Sequence, residues 1–419
     1  MPQYLSPGVY VEEVPSAIKA IAGVSTSTPG FVGVVPDTIH QIARREPTTA
    51  DASTTKYVDF AVPTPAGEPV LVTNWTQFTR AFGDLVGDDS ADATSDDSPA
   101  LDQGHRHLAH AVYGFFNNGG SRCYVARAAT AAGVSEVLKA FSAIDEIALV
   151  AAPGLIDAAT RDAVVTHCRN AGDRFAILDG PDSASDLTKL TKIAADGGLM
   201  PARTDYAAWY FPWIKVFDPA AQLLAPGSDG LISVPPSGHI AGVYARVDNT
   251  RGVHKAPANE PIAGALDLTQ RLSRADQDGL NPKGVNCLRV LNDNILVWGA
   301  RTVGGDANAD LKYINVRRTL LFLRESIDEG TQWVVFEPNT PALWQKITRN
   351  VSAFLTYVWR SGALFGNTPA EAFYVKCDAE TNPPEVRELG QVVTEIGVAI
   401  VRPAEFLIFR ISQWTAPSK

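Results

Sequence analysis

No stretch of this chain is apolar for the roughly 20 residues that crossing a bilayer requires. Its opening, MPQYLSPGVYVEEV, lacks the basic-then-apolar order of an export signal, so folding in the cytoplasm without membrane insertion is expected. Cysteine is scarce: Cys123, Cys168, Cys287 and Cys377 are the four in 419 residues. They are widely spaced in apolar surroundings and form no CxxC pair or zinc spacing, which reads as buried free thiols rather than a disulfide scaffold. Positive charge is in deficit, with 36 Lys and Arg against 46 Asp and Glu and a net charge of −10. That balance argues against a general nucleic-acid binder. No GxxxxGK[ST] phosphate loop occurs, and no cofactor or metal is expected.

The middle third carries the most regular pattern. IALVAAPG reads as a buried strand, IDAATRDAVVTHCRNAGD as an amphipathic helix and RFAILDG as a second strand. SASDLTKLTKIAADGG reads as a second helix and YAAWYFPWIKVFDP as a third strand. This βαβαβ alternation predicts a doubly wound parallel sheet, α/β within an overall α+β chain. Such sheets bind nucleotides at the carboxyl ends of their strands. Asp179 and Asp182 lie at one such end and could hold Mg²⁺, which makes a flavodoxin-like Mg²⁺- or nucleotide-dependent enzyme the alternative reading. The turn after the first strand, AAPGLID, has no GxGxxG, and acidic loop ends are common without a metal.

Other constellations are weighed in chain order. Residues 36–66 read as a polar loop, followed by a strand through Val70, Leu71 and Val72 and a short helix with Trp75, Phe78 and Phe82. Residues 84–102 are acidic but lack the ordered Asp and Glu ligands of a Ca²⁺ loop. A helix over about 99–116 holds His105, His107 and His110. His105 lies about 200° around that helix from His107, so the three do not readily converge on a metal. Ser237 is the expected N-cap of a helix. His239, Asp248, His254 and Glu260 cluster in sequence but without G-x-S-x-G, and read as a structural loop rich in hydrogen bonds. A helix is expected over 266–276, then two strands joined by Asn292-Asp293-Asn294, then a helix in LKYINVRRTLLFLRESIDEG.

Residues 331–377 read as strand, long helix, strand. The first strand is 332–337; Thr340 and Pro341 then open the helix, and Gly362 closes it. Leu343, Trp344, Ile347, Val351, Phe354, Leu355, Val358 and Trp359 recur at helical spacing. The opposite face is assigned Lys346, Arg349, Asn350 and Arg360, by spacing alone a solvated basic stripe. Both chain ends read as orphan strands. Val9, Tyr10, Val11, Glu12 and Val14 alternate between Pro7 and Pro15, and EFLIFRISQW brings Phe406, Leu407, Ile408, Phe409 and Ile411. A short strand fenced in this way needs an edge to pair with, its own or a neighbour's.

Several phrases taken together resemble the contractile tail sheath proteins: SPGVYVEEVPS, EPVLVTNWTQFTRAFG, AVYGFFNNGGSRCYVAR, VPPSGHIAGVYARVDNTRGVHKAPAN, YINVRRTLLFLRESIDEGTQWVVFEPN and FLTYVWRSGALFG. They run nearly end to end in the expected order and resemble the short sheaths of extracellular contractile injection systems, R-type tailocins and simple phage tails. The resemblance implies a non-enzymatic subunit that polymerises helically around an inner tube, in stacked rings, with baseplate and cap or terminator proteins as further partners. A terminator-type ring protein sharing the fold is a second alternative. It further implies that the terminal strands are arms added to neighbouring subunits, and that the stripe Lys346, Arg349, Asn350 and Arg360 faces the tube. The expected layout is an N-terminal arm (1–25), the start of a middle domain (26–103) and an outer flavodoxin-like domain (104–218). A connecting part (219–308), an inner domain (309–402) with its tube-facing helix at 341–361, and a C-terminal arm (403–419) complete it.

Overall fold

Along the strand Phe175–Asp179 the side chains alternate between two separate hydrophobic cores: Phe175 and Ile177 enter one, Ala176 and Leu178 the other. Phe31 and Val32 divide likewise, as do Tyr210 and Trp209. A period of two with both faces buried is what a covered, central strand requires. In the computed structural model, which describes residues 20–43, 57–87, 101–408 and 410, these strands belong to one nine-stranded sheet.

Six strands form its parallel centre, in the order Val285–Leu291, Ala207–Phe211, Phe175–Asp179, Leu149–Ala151, Pro29–Val34 and Cys123–Ala128. Antiparallel strands finish both margins: Val70–Val72 beyond Cys123–Ala128, and Asn294–Trp298 with Glu260–Pro261 beyond Val285–Leu291. Helices Gln103–Asn117 and Ser237–Arg251 supply the first core with Leu108, Val112, Phe115, Ile240 and Tyr244. Helices Val134–Phe141 and Ala158–Ala171 supply the second with Val137, Leu138, Phe141, Val164 and Cys168. The sheet is therefore doubly wound, as the alternation predicts, and all four cysteines are buried and free.

The two helices of the first core approach closely because glycines face the crossing. A Cβ on Gly238 would fall 2.3 Å from the Ala111 Cα, and one on Gly242 2.5 Å from the Phe115 carbonyl oxygen. The hairpin at 285–298 turns through Asn292 and Asp293, both at positive φ (49° and 60°), as a tight two-residue turn demands.

Several expectations are corrected. The stretch 183–198 forms short 3₁₀ turns at Leu187–Thr191 and Ala194–Asp196 instead of a helix. There the Asp186 carboxylate takes the Thr188 N–H and hydroxyl, a local bond that competes with the helical ladder. The third strand breaks at Pro212: Ala207–Phe211 stays in the large sheet, while Ile214–Phe217 joins a separate three-stranded one. Residues 36–66 hold antiparallel strands Thr38–Ala43 and Tyr57–Ala61, whose buried Ile39, Ile42 and Tyr57 are diluted in sequence by polar neighbours. The helix expected over 266–276 begins later, at Arg274–Leu280, behind a reciprocal Ser273–Asp276 capping box.

The chain divides into two units. The larger contains the sheets described so far and takes in the described residues from Ile400 onwards. The smaller comprises residues 20–23 and Arg324–Ala399. It holds the helix Pro341–Arg360, the short helix Pro369–Ala372 and a two-stranded antiparallel sheet, Phe373–Lys376 with Glu395–Val398. The stretch 332–337, expected as a strand, is instead a 3₁₀ turn at Gln332–Val334 continuing the helix Ile314–Thr331. No ladder partner meets it among the described residues, and Phe336 stands fully exposed at φ 68°.

Candidate assembly surfaces

The C-terminal end of the described chain begins firmly held and ends bare. The Glu405 carboxylate accepts from Arg301 Nε (2.9 Å) and Nη2 (2.8 Å), Asn281 Nδ2 (2.7 Å) and the Tyr313 hydroxyl (3.0 Å). Burial alone would raise its pKa, but the Arg301 guanidinium and the other donors outweigh it and hold the carboxyl below its ordinary range. Immediately afterwards Phe406, Leu407 and Ile408 are 71%, 80% and 77% exposed and lie in no strand. The terminal strand expected there has no ladder within this chain among the described residues. Phe409 and Ile411 lie outside those residues, as do Val9, Tyr10, Val11, Glu12 and Val14 of the other expected arm.

In the smaller unit, the two-stranded sheet pairs Phe373 with Val398, Tyr374 with Gly397, Val375 with Ile396 and Lys376 with Glu395. The Tyr374 ring lies over Gly397, where a Cβ would fall 2.1 Å from Cε1. Neither strand has a second neighbour among the described residues, so both margins offer backbone groups. Phe365, Tyr374 and Leu389 of this unit are also exposed.

The helix Pro341–Arg360 starts as read, with Pro341 in the first turn after Thr340, and packs on Phe373–Lys376. Leu343, Trp344, Ile347, Val351, Phe354, Leu355 and Val358 are its buried side. Lys346, Arg349 and Arg360 are exposed. Asn350 is not on that face: it is 2% exposed. It lies one heptad after Leu343, about 20° from it around the helix, and so falls within the apolar stripe.

The candidate catalytic groups serve the fold. Asp179 accepts from the Ser237 N–H (2.8 Å), the Ser237 hydroxyl (2.7 Å) and the Gly154 N–H (3.2 Å). Ser237 is thus the first residue of its helix, not the N-cap, and a carboxylate from a neighbouring strand takes the cap's work. Burial pushes the Asp179 carboxyl up to about 6 despite these donors. Asp182 turns instead to the Ser183 N–H (2.6 Å). His105 meets the Gly83 carbonyl oxygen (3.3 Å), His107 packs edge-on against Trp213, and His110 Nε2 lies 2.8 Å from Asp218. Burial lowers His105 and His107 to about 4 and His239 to about 3, so these rings are neutral. Asp248 is bound to Arg318 and Glu260 to Lys255. No group of three or more His, Cys, Asp or Glu side chains suited to a metal occurs among the described residues.

Two family models match in tandem: the phage tail sheath protein central domain over residues 127–303 and the phage tail sheath C-terminal domain over residues 306–413. The chain belongs to the phage tail sheath family. Curated relatives include the tail sheath protein of Vibrio phage KVP40, 28% identical over 189 residues, 44% of this chain and 27% of that protein. The tail sheath protein of Burkholderia phage BcepMu is 26% identical over 209 residues, 48% of this chain and 41% of that protein. The matches therefore span less than half the length of these two sheath proteins. Solved structures match nearly end to end. The sheath complex of PVC, an extracellular contractile injection system, in its contracted state has a TM-score of 0.71 at 25% identity, over 99% of both chains. The contracted helical sheath of the anti-feeding prophage has a TM-score of 0.69 at 28% identity, over 97% of this chain and 99% of that one.

Some of this sheath protein's key polar residues gave no local signal in the sequence. Glu405, Asp218 and the Arg318–Asp248 pair find partners 70 to 124 residues away, beyond any spacing rule. The one available hint was compositional: isolated acidic residues within otherwise apolar runs, as in VRPAEFLIF.

Proposed function

We propose that this chain is the structural subunit of a contractile sheath that polymerises helically around an inner tube and drives that tube through a target envelope without NTP hydrolysis. The observation that carries this reading is the run Phe406, Leu407 and Ile408. Three consecutive large apolar side chains, exposed directly after a tightly bound residue, suit a strand added to another copy. The likeness to contracted sheath structures supports it. In this reading both arms, residues 1–25 and 403–419, extend the open margins of the Phe373–Lys376 and Glu395–Val398 sheet of neighbouring copies. The smaller unit acts as the inner domain, expected over 309–402. Lys346, Arg349 and Arg360 are its tube-facing cations, while baseplate and cap proteins close the ends.

Contraction is then a rigid-body rearrangement of subunits between two sets of contacts, with the arms as hinged joints that bend without breaking. The particle is assembled in the cytoplasm and released as a phage tail or tail-like injector. Negative-stain microscopy of the purified full chain is expected to show helical tubes of indefinite length, and deletion of residues 1–13 to abolish them while circular dichroism stays at the wild-type level. Single rings from the intact chain would point to a terminator-type protein. Tubes of ordinary length from the truncated chain would overturn the strand-exchange account.

A further inference from the structure

A strand handed to a neighbour transmits force only if its root stays fixed to the donor. In the larger unit one short segment, residues 313–318, bonds to the roots of both chain ends, while Arg301 and Asn281 share the hold on the C-terminal one. At the N-terminal side, Arg318 Nη2 donates to the Thr26 carbonyl oxygen (2.8 Å) and to Asp248 Oδ2 (2.6 Å), while Nη1 donates to Asp248 Oδ1 (2.9 Å). The Thr26 hydroxyl donates to the same Asp248 oxygen (2.6 Å). Arg318 is 3% exposed and lies over the Tyr244 ring at 4.6 Å, and the Asp248 side chain is equally buried, so water does not readily reach the pair. At the C-terminal side, Asn315 Nδ2 donates to the Val401 carbonyl oxygen (3.2 Å) and the His254 carbonyl oxygen (2.7 Å). Tyr313 and Arg301 then hold Glu405, the last anchored residue before the exposed run.

Residues three apart on a helix are surface neighbours. Asn315 and Arg318 meet that spacing on the helix Ile314–Thr331, and Tyr313 immediately precedes it. Resting on the sheath reading above, we infer that residues 313–318 form a common clasp for the two arms. Tension entering through one arm of a subunit leaves through the other across a single helical turn. Glu405, Asn315 and Arg318 are positioning residues in this device: they set where each arm leaves the donor and keep it from peeling back. Main-chain carbonyls and one carboxylate are the held groups, and charge-assisted bonds are the stronger kind available for the task.

The test uses the full chain with Glu405→Ala and Arg318→Lys, and Arg402→Ala as a control at an exposed pair with Asp310 (3.4 Å). Hydrogen exchange on the unassembled subunit is expected to rise about tenfold over 400–405 in the first variant and over 24–28 in the second. Both variants disturb a buried ion pair and so lower the melting temperature, but at a temperature where each is still folded mean tube length is expected to fall severalfold; Arg402→Ala should match wild type throughout. If Arg318→Lys fails to fold, Glu405→Ala and Thr26→Val carry the test for the two roots. Wild-type exchange and tube length in the Glu405 variant and in the N-root variant would overturn the clasp. An intact wild-type chain that forms no tubes would instead overturn the sheath reading beneath it.

Discussion

Asp218 is fully buried and serves two helices at once. Its Oδ2 takes Arg106 Nη2 (2.8 Å) and lies 2.8 Å from His110 Nε2, while Oδ1 caps the short helix Pro219–Leu224 through the Ala221 N–H (2.9 Å). Burial opposes its ionisation, yet His110 and Arg106 prevail and bring its pKa down to about 2. Because that lies below the unfolded value near 3.9, the stabilisation is fully present above about pH 4 and is lost as pH falls towards 2. Asp218→Asn is therefore expected to cost ~3 kcal/mol at pH 7, with the gap closing as the solution is acidified. Thermal melts of both proteins between pH 7 and acid check this, and a gap independent of pH would refute it. Asp179 has the opposite sign: its raised pKa means that ionising it above about pH 6 works against folding. None of this was legible locally. Asp179 drew notice for sitting at a strand end, but only the fold shows that its oxygens are occupied by a helix start.

At the scale of elements, periodicity revealed more. RFAILDG forms the strand expected of it, and the apolar stripe of Pro341–Arg360 is the buried side of its helix. Asn350 and the stretch 332–337 were misplaced for instructive reasons. Asn350 is polar, yet its angular position falls within the apolar stripe, and the β-rich hexamer 332–337 has no partner strand among the described residues. The crossing of Gln103–Asn117 with Ser237–Arg251 could not be foreseen, since nothing in GHIAG says which helix will press on it. It does fix a consequence. Gly238→Ala would drive a methyl against the Ala111 backbone and is expected to lower stability by ~2 kcal/mol or more in urea unfolding. Gly279→Ala, where nothing lies within 4 Å, is expected to be neutral or slightly stabilising. Equal effects at the two sites would show that the helices can separate at little cost.

For the whole molecule, the end-to-end order of familiar phrases outweighed every single motif, and the doubly wound core was visible in the sequence. The division into two units was less so, because the smaller one joins residues 20–23 to the distant stretch Arg324–Ala399. If the exposed Lys346 and Arg349 meet the tube, reversing both to Glu should leave a folded subunit that still polymerises with itself but fails to assemble on purified tubes. Cosedimentation with tubes measures this, and wild-type binding by the double variant would remove that helix face from the tube contact.

The bare apolar run follows Glu405 in the larger unit, whereas the sheet with open margins belongs to the smaller one. In the strand exchange proposed above, the C-terminal donor and the acceptor sheet thus lie in separate units of a single polypeptide. A copy stripped of its tail but keeping an intact acceptor could still be recruited, yet could recruit nothing further through that seam. Mixed into a growing population, even a small fraction of such copies would act as chain stoppers, and particle length would report their proportion.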